Sequence, residues 1–240
     1  MNNHINKFIL IVFLFSVSLT NAQNLNSFLT KANVFFGEYV KNGKVAYADI
    51  IKDQSTIDEL LKIASDISVQ ESNAKNYQAF WINTYNFSVI KGIIDNYPTK
   101  SPLDTKGFFD KTTYSLGGKK ITLNDIEHKL LRAKFKDARF HFVLVCGAIG
   151  CPPLIDKAYM PETLDRQLET QTKKALNGSF LKVNTKKKKV QGSEILKWYK
   201  EDFTMNGMTE IEFINKYRTD KIPDDFKLSY FTYNWSLNKQ

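Results

Sequence analysis

The cysteine and histidine side chains of this sequence are few and lie close together. The chain contains two cysteines, Cys146 and Cys151, and three histidines, of which His128 and His141 lie in the same region. These four residues fall within 24 positions, 128 to 151. Thiol and imidazole groups serve proteins as nucleophiles, bases, metal ligands and redox couples. This segment is therefore the first candidate for chemistry.

The cysteine pair fits several interpretations. A structural disulfide suits an even cysteine count, and Gly147 and Gly150 let the intervening loop bend. Two Cys and two His could also be the four ligands of a zinc ion, but the spacings Cys-x4-Cys and His-x12-His depart from the usual compact pattern of zinc ligands. A thiol-disulfide oxidoreductase would be expected to carry Cys-x-x-Cys, which is missing. We therefore expect neither a metal nor a cofactor.

Catalysis by a cysteine nucleophile is the fourth interpretation. It needs a histidine base near the sulfur and a polar group that orients the imidazole. Pro152 and Pro153 have no backbone N–H, so Cys151 lacks the helix-start setting that lowers a thiol pKa. If the run before Cys146 is a regular strand, His141 and Cys146 face opposite sides. The candidate site residues are Cys151, Cys146, His128, His141, Glu127, Asn83 and Asn86.

Ordinary structural roles compete with the catalytic ones. The apolar surroundings of His141 favour a hydrogen-bonded core histidine, and His128 fits a helix surface or cap. Asn83 and Asn86 share one face of an apolar helix, where buried amides must be hydrogen-bonded. The three tryptophans, Trp81, Trp198 and Trp235, are expected in the core.

The N-terminus predicts export. Lys7 precedes an apolar run of 12 residues, 8–19, and small residues stand at the third-last and last positions before a break after Ala22. A membrane-spanning helix needs about 20 apolar residues, so the run is too short for an anchor. We expect residues 1–22 to be a signal peptide and the remaining chain to be periplasmic or secreted, with no membrane span.

Composition predicts one globular domain over residues 23–240. The sequence is 42% hydrophobic and 13% aromatic, enough for a sizeable core. The net charge of +9 is concentrated in Lys182 and the run 186–189, which carries no interleaved aromatic residue. Such a run is typical of a solvated hairpin tip, so no nucleic-acid partner is expected and other partners remain unknown.

Hydrophobic periodicity predicts an α+β fold, with a helical N-terminal half packed on a small, mostly antiparallel sheet. The apolar run Phe140–Val145 is expected to be a central strand, and Leu228–Leu237 a strand near the end. Gly117-Gly118 predicts a hairpin, and Thr122 begins a helix through Arg132. The other expected helices span 24–40, 55–64, 77–97, 163–176, 193–203 and 210–217, with a second hairpin over 180–191.

Several motifs in fixed order resemble the family called domain of unknown function 547. They are FWINTYN at 80–86, LNDIEH at 123–128 with Leu131-Arg132, RFHF at 139–142, CGAIGCPPL at 146–154 and YNWSLN at 233–238. The resemblance covers about 77–238 and implies a widely distributed domain with no settled activity. The family usually has Asn where this chain has Val145 and Ser where it has Gly150, so no role can rest on a polar side chain there.

Two functions therefore stay open for the sequence. The first is a non-catalytic envelope or binding module whose cysteine loop is structural. The second is a cysteine-dependent hydrolase or acyl transferase acting on peptide or amide bonds.

Overall fold

The structure is a computed structural model that describes residues 24–240. The predicted signal peptide, residues 1–22, lies outside the described residues. Within them, helices and small sheets make up an α+β fold, as the sequence predicted.

The helices agree with most of the predicted periodicity. Helix α1 covers residues 24–39 of the described chain. A continuous helical run, α5, is formed by Leu123–Asp125, the π-helical Ile126–Arg132 and Ala133–Phe135. The other helices are α2 Tyr47–Lys52, α3 Ser55–Asp66, α4 Ala74–Asp95, α6 Leu164–Leu176, α7 Glu194–Trp198, α8 Lys200–Phe203 and α9 Glu210–Tyr217.

The strands form three small sheets. Strands β1 (Val40–Lys41) and β2 (Lys44–Val45) pair antiparallel, as do β3 (Thr113–Leu116) and β4 (Lys119–Thr122). The third sheet has the order β5-β6-β7, with β5 (Leu181–Asn184) antiparallel and β7 (Lys227–Phe231) parallel to β6 (Lys189–Ser193). Both predicted hairpins are confirmed, and the lysine run lies exposed at the β5–β6 turn.

Helix α4 is buried on nearly all sides and forms the centre of the larger of two hydrophobic clusters. The smaller cluster contains the three-stranded sheet, α7 to α9 and residues around Tyr233. Cys151 packs against both clusters, so the segment that carries the cysteines lies where the two meet.

Two buried amides of α4 hold the chain on either side of that segment. The Asn86 side chain donates to the Val143 carbonyl at 3.0 Å and accepts from the Val145 N–H at 2.9 Å. The Asn83 side chain makes the same pair of bonds to the carbonyl and N–H of Tyr159, at 2.8 and 3.0 Å. These contacts satisfy backbone groups that have no sheet or helix partner, as buried groups require.

The prediction of a central strand over Phe140–Val145 is wrong. Ala138–Phe142 is a 3-10 turn that begins at Asp137, whose side chain accepts from the Arg139 N–H. The run is buried as expected, but a continuous apolar run does not distinguish a strand from any other fully buried element. The prediction that His141 and Cys146 face opposite sides assumed a regular strand, so it no longer applies.

Two further expectations need correction. The last strand, β7, ends at Phe231 rather than Leu237, because the following residues pair with the cysteine segment instead. The helix expected over 193–203 is broken at Tyr199 into α7 and α8. The capping prediction is confirmed, since the Thr122 side chain accepts from the Asp125 N–H at 3.1 Å.

Replacing Asn86 by Ala should destabilise the protein by about 2–4 kcal/mol, because it leaves the N–H of Val145 and the carbonyl of Val143 buried without partners. Urea denaturation followed by circular dichroism measures the change. The exposed Asn26→Ala in α1 is the control and should change stability by less than about 0.5 kcal/mol. Equal stability of the two variants would show that the Asn86 amide does not hold this backbone.

Candidate functional site

Side chains from widely separated parts of the chain surround a cavity of about 70 Å³. The cysteine loop, residues 146–151, contributes Cys146 and Cys151 to the lining, and aromatic rings make up much of the rest. The polar groups of the lining side chains include a carboxylate, an imidazole, three tyrosine hydroxyls and two indole N–H groups. The lining residues are Tyr85, Glu127, His141, Leu144, Cys146, Cys151, Ile195, Trp198, Tyr199, Tyr233 and Trp235.

The two cysteines of the loop are paired. Their Sγ atoms lie 2.12 Å apart, at disulfide distance. The Tyr233 hydroxyl lies 2.9 Å from each sulfur, and because disulfide sulfurs carry no proton, the hydroxyl is the donor. The Cys146 N–H also donates to the Cys151 sulfur at 2.9 Å.

The C-terminal segment pairs with the cysteine loop and places two aromatic rings at the cavity. The N–H of Gly150 donates to the Asn234 carbonyl at 2.8 Å, and the N–H of Asn238 donates to the Gly147 carbonyl at 3.0 Å. A Cβ atom at position 150 would lie 2.9 Å from both the Asn234 nitrogen and the Tyr233 ring. The glycine at this position therefore allows the C-terminal segment to approach the loop closely.

The π-helical turn of α5 carries three polar side chains, of which only Glu127 lines the cavity. Glu127 reaches the cavity, while the guanidinium of Arg132 lies 2.6 Å from the Nδ1 atom of His128. The Nε atom of Arg132 donates to the Asp202 carboxylate at 2.6 Å. A π turn is wider than an α turn and is often found at functional sites.

Asp202 joins this arginine to the cavity histidine. The Nε2 atom of His141 lies 2.6 Å from the same carboxylate oxygen that accepts from Arg132. The Tyr199 ring stacks on His141 with centroids 4.0 Å apart, and the Arg132 guanidinium lies 4.6 Å from the same ring. Burial works to raise the pKa of Asp202, but the hydrogen bonds from His141 and Arg132 outweigh it and hold that pKa well below its usual range.

The tyrosine hydroxyls around Glu127 stay protonated. Burial is the main cause that raises the pKa of Tyr85, Tyr199 and Tyr233, and the nearby Glu127 carboxylate raises all three further. These hydroxyls are therefore hydrogen-bond donors near neutral pH.

The structure brings four of the seven predicted site residues to one cavity. These are Cys146, Cys151, His141 and Glu127. His128 is not in the lining, and its Nδ1 atom contacts the Arg132 guanidinium instead.

Asn83 and Asn86 are engaged by backbone groups on either side of the cysteine loop, and neither is in the lining. The structure gives both amides a positioning role. This role agrees with the requirement, evident from the sequence, that buried amides be hydrogen-bonded.

Sequence reasoning missed Asp202, Tyr85, Tyr199 and the aromatic rings of the cavity. Trp198, expected in the core, is 46% exposed at the cavity, and Trp235 lies beside it, whereas Trp81 is buried as expected. The quoted motifs contained Tyr85, Arg132, Tyr233 and Trp235, which was the available signal. No local pattern marked Asp202, which lies 61 residues from its histidine partner.

The described residues show no candidate metal site and no helix that could span a membrane. Among residues 24–240 no group of three or more His, Cys, Asp or Glu side chains is arranged to hold a metal ion. Over the same residues no helix combines the length and the apolar character that crossing a membrane requires.

The fold and site define an α+β domain with a paired-cysteine loop beside an aromatic cavity. Residues 69–175, a little under half of the chain, match the family described as Protein of unknown function, DUF547, and this match supports a domain of that family over those residues. The match includes α4, α5 and the cysteine loop, and it ends before the segment with Tyr233 and Trp235. Nothing among the curated proteins or the solved structures matches the chain.

Replacing Asp202 by Asn should destabilise the protein by about 2–3 kcal/mol at pH 7, since it weakens the bonds to His141 and Arg132. The folded-state pKa of Asp202 lies below the unfolded one, so its ionisation stabilises the fold above the ordinary Asp range. That contribution is lost as the pH falls, so the gap between wild type and D202N should shrink below about pH 4.

Urea denaturation at pH 7 and pH 3 measures this gap. The control is Asp165→Asn, which removes the exposed partner of another arginine, Arg139, and should cost less than about 1 kcal/mol. A D202N penalty that is unchanged at pH 3 would contradict the ionised pair.

Proposed function

We propose that this chain is an exported binding module in which the Cys146–Cys151 disulfide is structural and forms one wall of the aromatic cavity. The observation that carries this proposal is the pairing of the two sulfurs, which are the only cysteine sulfurs in the sequence. With both sulfurs bonded, the chain has no thiolate to act as a nucleophile. The cavity remains as a place to bind a ligand.

The surroundings of the disulfide support a structural role. The Tyr233 hydroxyl donates to both sulfurs, and the C-terminal segment pairs with the loop backbone. A ring of this size contributes only about 2 kcal/mol through chain entropy, so shaping the loop is its main effect.

Export is supported by the N-terminal sequence and by the chemistry of the cysteines. The positive residue, the short apolar run and the small residues before Gln23 match a signal peptide. Disulfides persist in oxidising compartments outside the cytoplasm. Both features favour a periplasmic or secreted protein.

The export proposal predicts where the full-length protein is found. Expressed in a bacterium, it should appear outside the cytoplasm with Gln23 as its first residue. A variant that lacks residues 2–22 should stay in the cytoplasm. N-terminal sequencing of fractionated cells measures both, and an intact Met1 on protein in the cytoplasmic fraction would contradict export.

The disulfide predicts the result of thiol alkylation. The native protein should take up no alkyl group, and after reduction it should take up two, as measured by intact mass. The double variant Cys146→Ser/Cys151→Ser is the control and should take up none in either state. Alkylation of the unreduced wild type would contradict the structural disulfide.

A cysteine-dependent hydrolase or acyl transferase acting on peptide or amide bonds is the second candidate. One observation favours it: His141 lines the same cavity as both sulfurs and is hydrogen-bonded through Nε2 to Asp202. A nucleophile, a base and an orienting carboxylate are the parts of such a catalytic site. The catalytic form requires reduction of the disulfide.

The reactivity of the reduced protein separates the two candidates. For the binding module, alkylation should follow an ordinary thiol pKa of about 8.5 and should be the same in His141→Gln. For the hydrolase, reduced wild type should alkylate rapidly at pH 6, and His141→Gln should slow the reaction at least about tenfold. Iodoacetamide labelling followed by mass spectrometry gives both rates.

A further inference from the structure

The cavity beside the disulfide has the composition of a site for an organic cation. Five of its lining side chains are aromatic, and the lining contains no lysine or arginine. Aromatic rings present a negative face, and several rings together bind ammonium groups through cation–π attraction. The five are Tyr85, Trp198, Tyr199, Tyr233 and Trp235.

Glu127 supplies a negative charge to this cavity. Glu127 is only 9% exposed, and over residues 24–240 no lysine, arginine or histidine nitrogen lies within 4.0 Å of its carboxylate; the nearest arginine on its helix, Arg132, pairs with Asp202. Arg132, the cation on the same helix, is bonded to Asp202 and His128 instead. The Tyr85 and Tyr199 hydroxyls offer hydrogen bonds to this carboxylate but leave its charge unneutralised. A buried charge is costly unless an opposite charge pairs with it, so a cationic ligand would be stabilised here.

The other charged groups around the cavity balance one another. His141 faces the cavity, and any positive charge on its ring is compensated by Asp202 at 2.6 Å. Asp202 also binds Arg132, which lies outside the lining. Glu127 feels the charge of Arg132 only at longer range, so it is the lining carboxylate that no cationic side chain of residues 24–240 contacts within 4.0 Å.

The size of the cavity limits what fits. About 70 Å³ is well below the roughly 300–1,000 Å³ of sites that enclose a whole small molecule. It is enough for one headgroup. Trp198 is 46% exposed and stacks on Trp235 with centroids 6.0 Å apart, so this side of the cavity reaches the surface.

We infer that the cavity binds an aliphatic ammonium headgroup, with its charge on the Glu127 carboxylate, its carbons against the aromatic rings and the rest of the ligand leaving past Trp198. The shared chemistry is a monocation on an alkyl chain, either primary or quaternary. The inference rests on the proposed binding module and names its ligand class.

Titration of the oxidised protein with choline and with butylammonium tests the inference, and tryptophan fluorescence reports binding because Trp198 and Trp235 line the cavity. The neutral isostere of choline, 3,3-dimethyl-1-butanol, is the matched control ligand. At least one cation should bind about tenfold or more tightly than the isostere, in line with a desolvated cation–π contact. Which of the two binds better identifies the headgroup.

Two variants connect binding to the named residues. Glu127→Gln keeps the shape of the side chain and removes its charge, and it should weaken cation binding about tenfold or more while leaving the isostere unaffected. Glu201→Gln is the control, because Glu201 is exposed on α8 and outside the lining, and it should bind like wild type. Urea denaturation of both variants confirms that they are folded.

The outcomes separate this inference from the proposed function. Equal binding of cation and isostere, or equal binding by E127Q and wild type, would overturn the ammonium headgroup and leave a cavity that binds apolar groups. Failure of both cations to bind would overturn it as well. Rapid alkylation of reduced protein that depends on His141 would instead overturn the binding module.

Discussion

The path of the chain through the site depends on two buried amides. Helix α4 is apolar on almost every side, so the irregular backbone packed against it finds few polar partners there. Asn86 binds the segment before the cysteine loop and Asn83 binds Tyr159 after it. Because buried backbone groups must be paired, these two side chains fix a loop that no strand or helix supports.

The path of the cysteine loop determines which side chains come together at the cavity. The chain turns at Ala138–Phe142 instead of running straight, so His141 and the cysteines line one space. The loop then offers backbone groups to the C-terminal segment, which brings Tyr233 and Trp235 against it. The positions of Tyr233 and Trp235 thus depend on the path of the loop, and residues 148 positions apart, Tyr85 and Tyr233, share one lining.

Local patterns predicted the elements whose structure is decided locally. The Thr122 cap, the Gly117-Gly118 hairpin and the long apolar helix all follow from short-range rules. The strand predicted over Phe140–Val145 is not formed, because burial alone does not select a strand. The sequence indicated the cysteines and His141 as candidate site residues. It could not predict Asp202 as the partner of His141, since only tertiary packing brings the two side chains together.

The oxidation state of Cys146 and Cys151 decides which of the two candidate functions is chemically possible, and changing it does not require the site to rearrange. The disulfide ring contributes only about 2 kcal/mol, whereas the loop is also held by the Asn86 amide and by backbone bonds to the C-terminal segment. Reduction should therefore leave the loop's path largely in place and change the chemistry of its two sulfurs. When paired, the two sulfurs are polarisable atoms in the lining of an aromatic cavity. When reduced, they are thiols in the same lining as a histidine that already has its carboxylate partner.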